Sequence, residues 1–381
     1  METTEKIKRH CADNGIKQTE LAKLSGISFG TINRIMNGKQ ELKPNTLKKI
    51  ADGLGLSVID LMDDDTSATI ESEVCGYIEY DGEIRKIKSL TQLKKLVEQI
   101  QFEQKELPKV ARQIISENKK NKKQVDKSNA DFDFNLSWDC IQEYDATKLE
   151  IYAFKTANDT KDGITLDLGN QCSGYPFTMC GKTFHTSESA YLCGQFSDTP
   201  SQELISIQNQ LLYEKNGYTA KKKVKNQNKH FIRPDWLEIM ADWMLYVIWQ
   251  KCQNKDFADK LRSIPRNAVI IENSTTVHEK TNVYWGSINN DIEDAREKVS
   301  RYVELQNKTK KKDELAEEMQ TARNEIQYIG KYCNGHNLMG KILKLCQIAL
   351  LDGTQPPINY DLLNEKKIYL FGELQKFGED R

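Results

Sequence analysis

Residues 18–61 read QTELAKLSGISFGTINRIMNGKQELKPNTLKKIADGLGLSVIDL. Leu21, Ala22 and Leu24 set an apolar stripe on a short helix that begins after Gln18-Thr19. Ser25-Gly26 stops that helix, because Gly26 is free to take the positive φ that a sharp turn requires, and Ile27 plugs the turn into the core. The spacing predicts a second helix from Ser28 to Met36, with Ile32 and Ile35 facing inward and Asn37-Gly38 ending it. Pro44 suits the start of another helix, whose Leu47, Ile50, Ala51 and Leu54 close a small all-α bundle.

Two short helices about a glycine turn are the layout of a helix-turn-helix. The outward face of the second helix carries Ser28, Phe29, Thr31, Asn33 and Arg34, groups that reach base edges in a major groove. The segment resembles the lambda-repressor-like (XRE) family of helix-turn-helix domains. That resemblance implies double-stranded DNA as a partner. It places Gln18 on a phosphate, gives the residues after the turn to base reading, and leaves Asn37 or Lys39 to fix position through the backbone. The competing reading is a helical bundle that serves only as a dimer module.

Outward from this stretch, 381 residues point to two or three domains. With 29% charged and 38% hydrophobic residues, the chain has no apolar run long enough to span a bilayer, and a charged amphipathic helix stands where a leader would. Nine cysteines without a secretion signal are expected as free thiols, which suits a cytoplasmic protein with no membrane partner. Cys172, Cys180 and Cys193 lie near one another, but without a Cys-x-x-Cys pair they are expected as buried apolar side chains, and no metal site is expected. The net charge of −1 hides basic runs at 119–123, 221–225 and 308–312, each most simply a solvated face or loop tip.

The expected architecture is multidomain: an all-α helix-turn-helix bundle over 1–65, a connector over 66–128, and an α+β, mainly helical domain over 129–381. An acidic break, Asp63-Asp64-Asp65, ends the first. In the connector, alternating runs around Asp81-Gly82 predict a β-hairpin, and Ser89 caps a helix with Leu90, Leu93, Leu96, Val97 and Ile100 on one side. A hairpin and one helix are too small to hold a core alone, so they are expected to pack on a copy of themselves or on a neighbour, and a homodimer would suit a helix-turn-helix that reads two half-sites. The polar stretch 117–127 reads as a hinge. In the last domain, the charged residues of about 287–334 carry two helical halves around a Lys-rich turn, an inserted helical hairpin.

Short constellations carry the chemistry. In GKTFHTSESAY, 181–191, Thr186 or Ser187 caps a helix and places Glu188 in its first turn, where a carboxylate ordinarily complements the helix dipole. Arg233-Pro234-Asp235-Trp236 opens a helix whose Met and Trp stripe reads as core. Tyr284-Trp285-Gly286 and Gly335-His336-Asn337-Leu338-Met339-Gly340-Lys341 follow, the second a Gly-rich entry to a helix of the kind that holds phosphate.

Taken in order, GKTFHTSE, RPDW, YWG and GHNLMGK resemble the NADAR family, the riboflavin-intermediate N-glycosidase-like family, over roughly residues 150–350. The resemblance implies NAD or ADP-ribose chemistry without a further cofactor: hydrolysis of ADP-ribose from guanine bases in nucleic acid, opposing DNA ADP-ribosylating toxins, or cleavage of riboflavin precursors. It makes Glu188 the catalytic carboxylate that eases a sugar cation from its nitrogen, with Trp285 stacking on a ring. It gives Asn170 to ribose hydroxyls, Arg233 to a phosphate clamp, Asn337 and Gly340 to a diphosphate, and Tyr284 to the ligand wall. Two positions depart from the family pattern: Gln195 stands where Lys is common, and Asn282 where Asp is common. The resemblance thus implies an ADP-ribosyl hydrolase in an antitoxin or defence role, joined to an autoregulating DNA-binding domain. The alternative is a transcription regulator whose second domain senses an ADP-ribose or NAD-derived ligand without catalysis.

Overall fold

Glycine and serine shape the N-terminal unit. Helix α1 (Thr3–Asp13) packs with α2 (Gln18–Ser25), α3 (Phe29–Met36) and α4 (Pro44–Leu54) around Ile7, Leu21, Ile32, Leu47 and Ile50. Gly26 holds φ at 64°, and the turn returns its N–H groups to the end of α2. Ser28 lies outside α3 and caps it, its Oγ accepting the Thr31 N–H at 3.3 Å. Ile27 packs against the core as the sequence implies, but Leu24, expected in the stripe, is 49% exposed. The reason is the tight crossing of α2 and α4: a Cβ at Gly53 would lie 2.7 Å from the Leu24 carbonyl carbon, so backbone rather than the Leu24 side chain fills the interface.

The computed structural model describes residues 3–56, 58, 61, 76–80, 83–125, 132–275 and 283–378. The acidic break at Asp63-Asp64-Asp65, the Asp81-Gly82 turn, Asn282, Asn129 and the end of the expected hinge at 126–127 lie outside the described residues. The chain divides into Met1–Glu106 and Leu107–Arg381.

The rest of the first unit follows the alternating pattern. Strands β1 (Gly76–Tyr80) and β2 (Glu83–Ile87) pair antiparallel with Tyr80 opposite Glu83. Ser89 caps α5 (Leu90–Gln101), accepting the Gln92 N–H at 3.2 Å. Of the expected stripe Leu96 is buried, whereas Leu90 and Val97 remain 48% and 41% exposed.

The second unit opens with α6 (Leu107–Gln124), which corrects the expected hinge at 117–127. Its polarity is one-sided. The buried Asn118 side chain donates to the Glu325 carbonyl at 2.8 Å and accepts the Gln327 and Tyr328 N–H groups, while Asn121 donates to the Tyr328 carbonyl. Two asparagines that serve as backbone partners hold the helix down, and the lysines face solvent.

The body of this unit is mostly helical around a short parallel pair. Strand β3 (Ile151–Phe154) runs beside β4 (Val269–Glu272), with Phe154 opposite Glu272. Helices α7 (Ser187–Gln195), α8 (Gln202–Tyr213), α9 (Trp236–Lys251) and α10 (Lys255–Ser263) build the core with α13 (Leu338–Asp352). The insertion is the expected helical hairpin, α11 (Asn290–Gln306) and α12 (Lys312–Glu325). Two glycines set the tightest crossings. A Cβ on Gly194 of α7 would overlap the Trp243 indole, whose Nε1 donates to the Tyr191 carbonyl at 3.1 Å. A Cβ on Gly340 of α13 would land on the Ile270 carbonyl oxygen of β4.

The Gly340 crossing fixes the depth at which α13 rests on β4. Gly340→Ala is expected to lower unfolding stability by about 1–3 kcal/mol through overpacking. Urea unfolding of the full chain measures it, and an unchanged midpoint would remove this crossing as a determinant of the fold.

Candidate functional site

A cavity of about 760 Å³ opens in the second unit at the C-terminal end of β4. Glu188, Glu272, Asn170, Tyr284, Trp285, Tyr191, Gln195, Lys155, Lys221 and Lys225 are among the residues that line it. Four of the residues that the sequence singles out therefore meet in one place: Glu188, Asn170, Tyr284 and Trp285.

Glu188 is set by the first turn of α7. Thr186 caps the helix, its Oγ1 accepting the Ser189 N–H at 3.2 Å. The Glu188 N–H itself donates to the Asn170 carbonyl at 2.9 Å, and Ser187 Oγ donates to the same carbonyl at 3.2 Å. The Asn170 loop is thereby stitched to the helix start, and the two residues reach the cavity as a pair. Gly217 seats the next segment against them: a Cβ there would lie 2.7 Å from the Gln171 Cα and 3.1 Å from the Glu188 Cβ. That segment continues into a π-helical turn, Ala220–Lys225, from which Lys221 and Lys225 face the cavity.

The aromatic corner comes from the extended Tyr-Trp-Gly segment, 284–286, between isolated β-bridges at Val283 and Ser287. Trp285 meets Tyr191 edge-on at 5.3 Å between centroids, and Tyr191 meets Trp236 at 5.0 Å. The segment is clamped on both sides. The Asn337 and Met339 N–H groups donate to the Gly286 and Trp285 carbonyls at 2.9 Å each, and the Ser287 N–H donates to the Glu272 carbonyl at 2.9 Å. A Cβ at Gly286 would strike Ser274 and the Glu272 carbonyl, so only glycine lets the segment pass this close.

Glu272 is the residue that sequence reading missed. Its signal was an apolar strand, Val269-Ile270-Ile271, ending in an acid. In a parallel pair, that end is where ligands bind. Glu272 is partly exposed at the cavity wall, yet enough chain surrounds its carboxyl that burial, and then the charge of Glu188, push its pKa up to about 7, with Lys221 opposing. Burial also raises Glu188, against the pull of Lys221 and Lys225. The two acids thus titrate as interacting neighbours, both raised by burial and both opposed by Lys221, with Lys225 acting on Glu188.

Three assigned residues do other work. Arg233 does not reach the cavity. It is buried, forked onto Asp235 at 2.6 and 3.0 Å, and donates to Ser197 Oγ and the Lys366 carbonyl, which uses up the guanidinium as an internal clamp. Asn337 lies behind the wall. In the left-handed region at φ 50°, it donates from Nδ2 to the Ile270 carbonyl at 2.8 Å and accepts the Glu272 N–H at 3.1 Å. Gly340 is a packing contact, as described above. The free N–H groups expected to hold a diphosphate at this helix start are instead spent on the Tyr-Trp-Gly segment.

Gln195, the departure from the family pattern, does face the cavity, and its Oε1 is buried with no hydrogen-bond partner among the described residues. At the cavity edge, Lys155 pairs with Glu293 of α11 at 3.1 Å, and Arg296 and Arg323 flank the same carboxylate. Burial alone would raise Glu293, but these cations hold it below the ordinary range. Among the described residues no group of three His, Cys, Asp or Glu is placed to hold a metal, and the described cysteines are free thiols.

In the first unit, Phe29 is 50% exposed, and Asn33, Arg34 and Asn37 are exposed on the same side, with Asn37 Nδ2 donating to Asn33 Oδ1 at 2.7 Å. Thr31 is half-buried and its hydroxyl lies 2.9 Å from that of Ser28; Gln18 is half-buried at the first residue of α2. No helix among the described residues is long and apolar enough to cross a membrane.

Compared with known proteins, the chain matches no curated protein and no solved structure. Residues 7–61 match the family described as helix-turn-helix, which makes this part of the N-terminal unit a DNA-binding helix-turn-helix domain.

Proposed function

We propose that the second unit hydrolyses the N-glycosidic bond of an ADP-ribosylated nucleobase, in keeping with its resemblance to the NADAR family, and that the helix-turn-helix domain binds its own operator. The observation that carries this reading is the pair Glu188 and Glu272 beside Trp285 in one cavity, with lysines at its wall. Cleaving a ribosyl C–N bond builds positive charge at the anomeric carbon and negative charge on the departing base. Glu188, the acid favoured as the anion by Lys221 and Lys225, stabilises that carbon and takes a proton from the attacking water. Glu272, protonated up to about pH 7, gives its proton to the base nitrogen as the bond breaks. Water adds to the sugar carbon, the bond pair leaves with the base, and free ADP-ribose and the base result. Trp285 and Tyr284 present ring faces or edges for stacking, Asn170 suits ribose hydroxyls, and Lys221 and Lys225 replace Arg233 as the diphosphate partners.

One observation favours a second reading, a ligand sensor. Gln195 offers an unpartnered buried acceptor to the cavity where a cation is common in the family. A site so altered binds an ADP-ribose-like ligand without turnover, and the DNA-binding domain reads out occupancy. In either reading we propose a cytoplasmic homodimer, supported by the exposed Leu90 and Val97 on α5.

With ADP-ribosylated guanosine as substrate, Glu188→Gln is expected to lower kcat by about a hundredfold or more while the thermal unfolding transition is retained. Equal turnover by the two proteins would end the hydrolase reading, and tight ADP-ribose binding without turnover by either would leave the sensor. The wild-type rate should fall as pH rises past about 7, where Glu272 loses its proton, and Glu272→Gln should abolish that limb.

The same acid has a stability signature. Its folded pKa of about 7 exceeds the ordinary 4.5, so between these values the folded state binds more protons than the unfolded one. Stability therefore falls as pH rises from about 4.5 to 7 and stays reduced above. Glu272→Gln is expected to raise stability at pH 8 by up to about 3 kcal/mol, with the gain vanishing near pH 4. Urea midpoints at the two pH values measure this, and a pH-independent difference would contradict the assignment.

For the DNA-binding domain, Arg34→Ala is expected to weaken operator binding about 5- to 150-fold if the guanidinium reads a base. A mobility-shift titration on the chain's own upstream region tests it, and unchanged affinity would remove Arg34 from the residues that touch DNA.

A further inference from the structure

Helix α6 carries six Lys and Arg and one acid, Glu117. Helical winding sorts these residues into faces. Ala111 packs into the body of the second unit, and Asn118 and Asn121 hold the backbone of 325–328. Arg112, Ser116, Lys119, Lys120 and Lys123, at i, i+4, i+7, i+8 and i+11, occupy the opposite face, and all five are exposed. With Ile115 they line an open groove of about 550 Å³ whose described lining holds no acid. Glu117 falls between the two faces.

The neighbouring helices treat their surface charges differently. On α11, Lys298 pairs with Asp294 at 2.7 Å and Arg301 with Glu304 at 2.8 Å, and Lys310 in the following turn pairs with Glu318 of α12. Arg112, Lys119, Lys120 and Lys123 have no acidic partner among the described residues. Like charges at i, i+3 and i, i+4, as at Lys120 and Lys123 or Lys119 and Lys123, repel one another. The helix dipole rewards cations in the last turn only, and Arg112 stands about three turns before the helix end. Local structure therefore leaves a single-sign stripe uncompensated, rigidly presented by the asparagines on its far side.

A polyanion compensates it. From Arg112 to Lys123 the stripe spans roughly 16 Å of helix, a length over which duplex DNA carries about nine negative charges. The chain already contains a DNA-binding domain, and α6 begins at the residue after the unit that holds it. Residues 1–61 hold ten Lys and Arg against seven Asp and Glu, so that domain brings little net positive charge of its own to the phosphates. Binding at an operator would raise the concentration of duplex near the tethered stripe. Residues 107–124 include no aromatic ring on which an unpaired base could stack, which favours a duplex over a single strand. The apolar side of α6 is spent on the core, so no apolar face is left to enter a bilayer.

We infer that the exposed face of α6 is a second, sequence-independent DNA contact, which binds the duplex backbone flanking the operator. Arg112, Lys119, Lys120 and Lys123 neutralise phosphates, and the Ser116 hydroxyl donates to one. The helix-turn-helix selects the site, and α6 adds affinity without selectivity. This role is independent of the chemistry in the cavity.

The test uses the full chain, a labelled duplex of about 30 base pairs from its own upstream region, and an unrelated duplex of equal length, both titrated over a series of salt concentrations by fluorescence anisotropy. Lys119→Gln, Lys120→Gln and Lys123→Gln together should weaken binding to both duplexes by the same factor, about tenfold or more at low salt. The dependence of log K on log salt should flatten by roughly 2.7, about 0.9 for each phosphate no longer neutralised. The ratio of the two affinities should stay at the parent's value, whereas Arg34→Ala lowers that ratio. The triple Lys→Arg protein should bind as the parent does, and the thermal unfolding transition of the Gln variant should match the parent's. No binding of the unrelated duplex by the parent, an unchanged salt slope in the Gln variant, or a loss confined to the upstream duplex would each overturn the proposal. So would loss of the parent's binding to phosphatidylglycerol vesicles in the Gln variant while duplex binding is untouched.

Discussion

The Asn337 side chain closes two backbone hydrogen bonds on β4, one to the Ile270 carbonyl and one from the Glu272 N–H. The cavity depends on this pin. It ends the strand where Glu272 reaches the open space, and it holds the start of α13 in a left-handed conformation that sends its N–H groups to the Tyr-Trp-Gly segment. A single amide therefore sets the positions of an acid on one wall and an indole on the next. Its side-chain bonds are short-range and buried, the kind that define a geometry rather than contribute much net stability.

Around that pin the site collects groups that cost stability. Two carboxylates share a confined space, and lysines crowd the wall. Burial disfavours charge on each acid, while the lysines favour the anion, and both carboxyls are held above the ordinary carboxylate range. The helical insertion enters here too. Glu293 of α11 ties Lys155 at the cavity edge to Arg296 and Arg323, so the hairpin braces the wall electrostatically without lending a residue to it.

Much of this was legible in the sequence where local signals agree with tertiary demand. Gly26, Ser28, Ser89 and Thr186 each cap or turn a helix for reasons visible in a few neighbouring residues, and the convergence of Glu188, Asn170, Tyr284 and Trp285 follows motif order. What was not legible depended on partners far away in sequence. Arg233 looks like an anion clamp until Asp235, Ser197 and the Lys366 carbonyl occupy it. Residues 117–124 look like a linker until Asn118 finds the backbone of 325–328. Glu272 carried no turn or cap signal, only its place at the end of an apolar strand whose parallel neighbour lies more than a hundred residues away.

The π-helical turn at Ala220–Lys225 has a consequence for how one lysine run divides its labour. A wider coil, bonded i to i+5, turns through a smaller angle at each step than an α-helix does. In this register Lys221 and Lys225 point inward while Lys222 and Lys223 point outward. Deleting one amino acid from the run would restore ordinary winding and rotate every downstream ammonium group to a new azimuth. Four near-identical side chains are told apart here by nothing but helical phase.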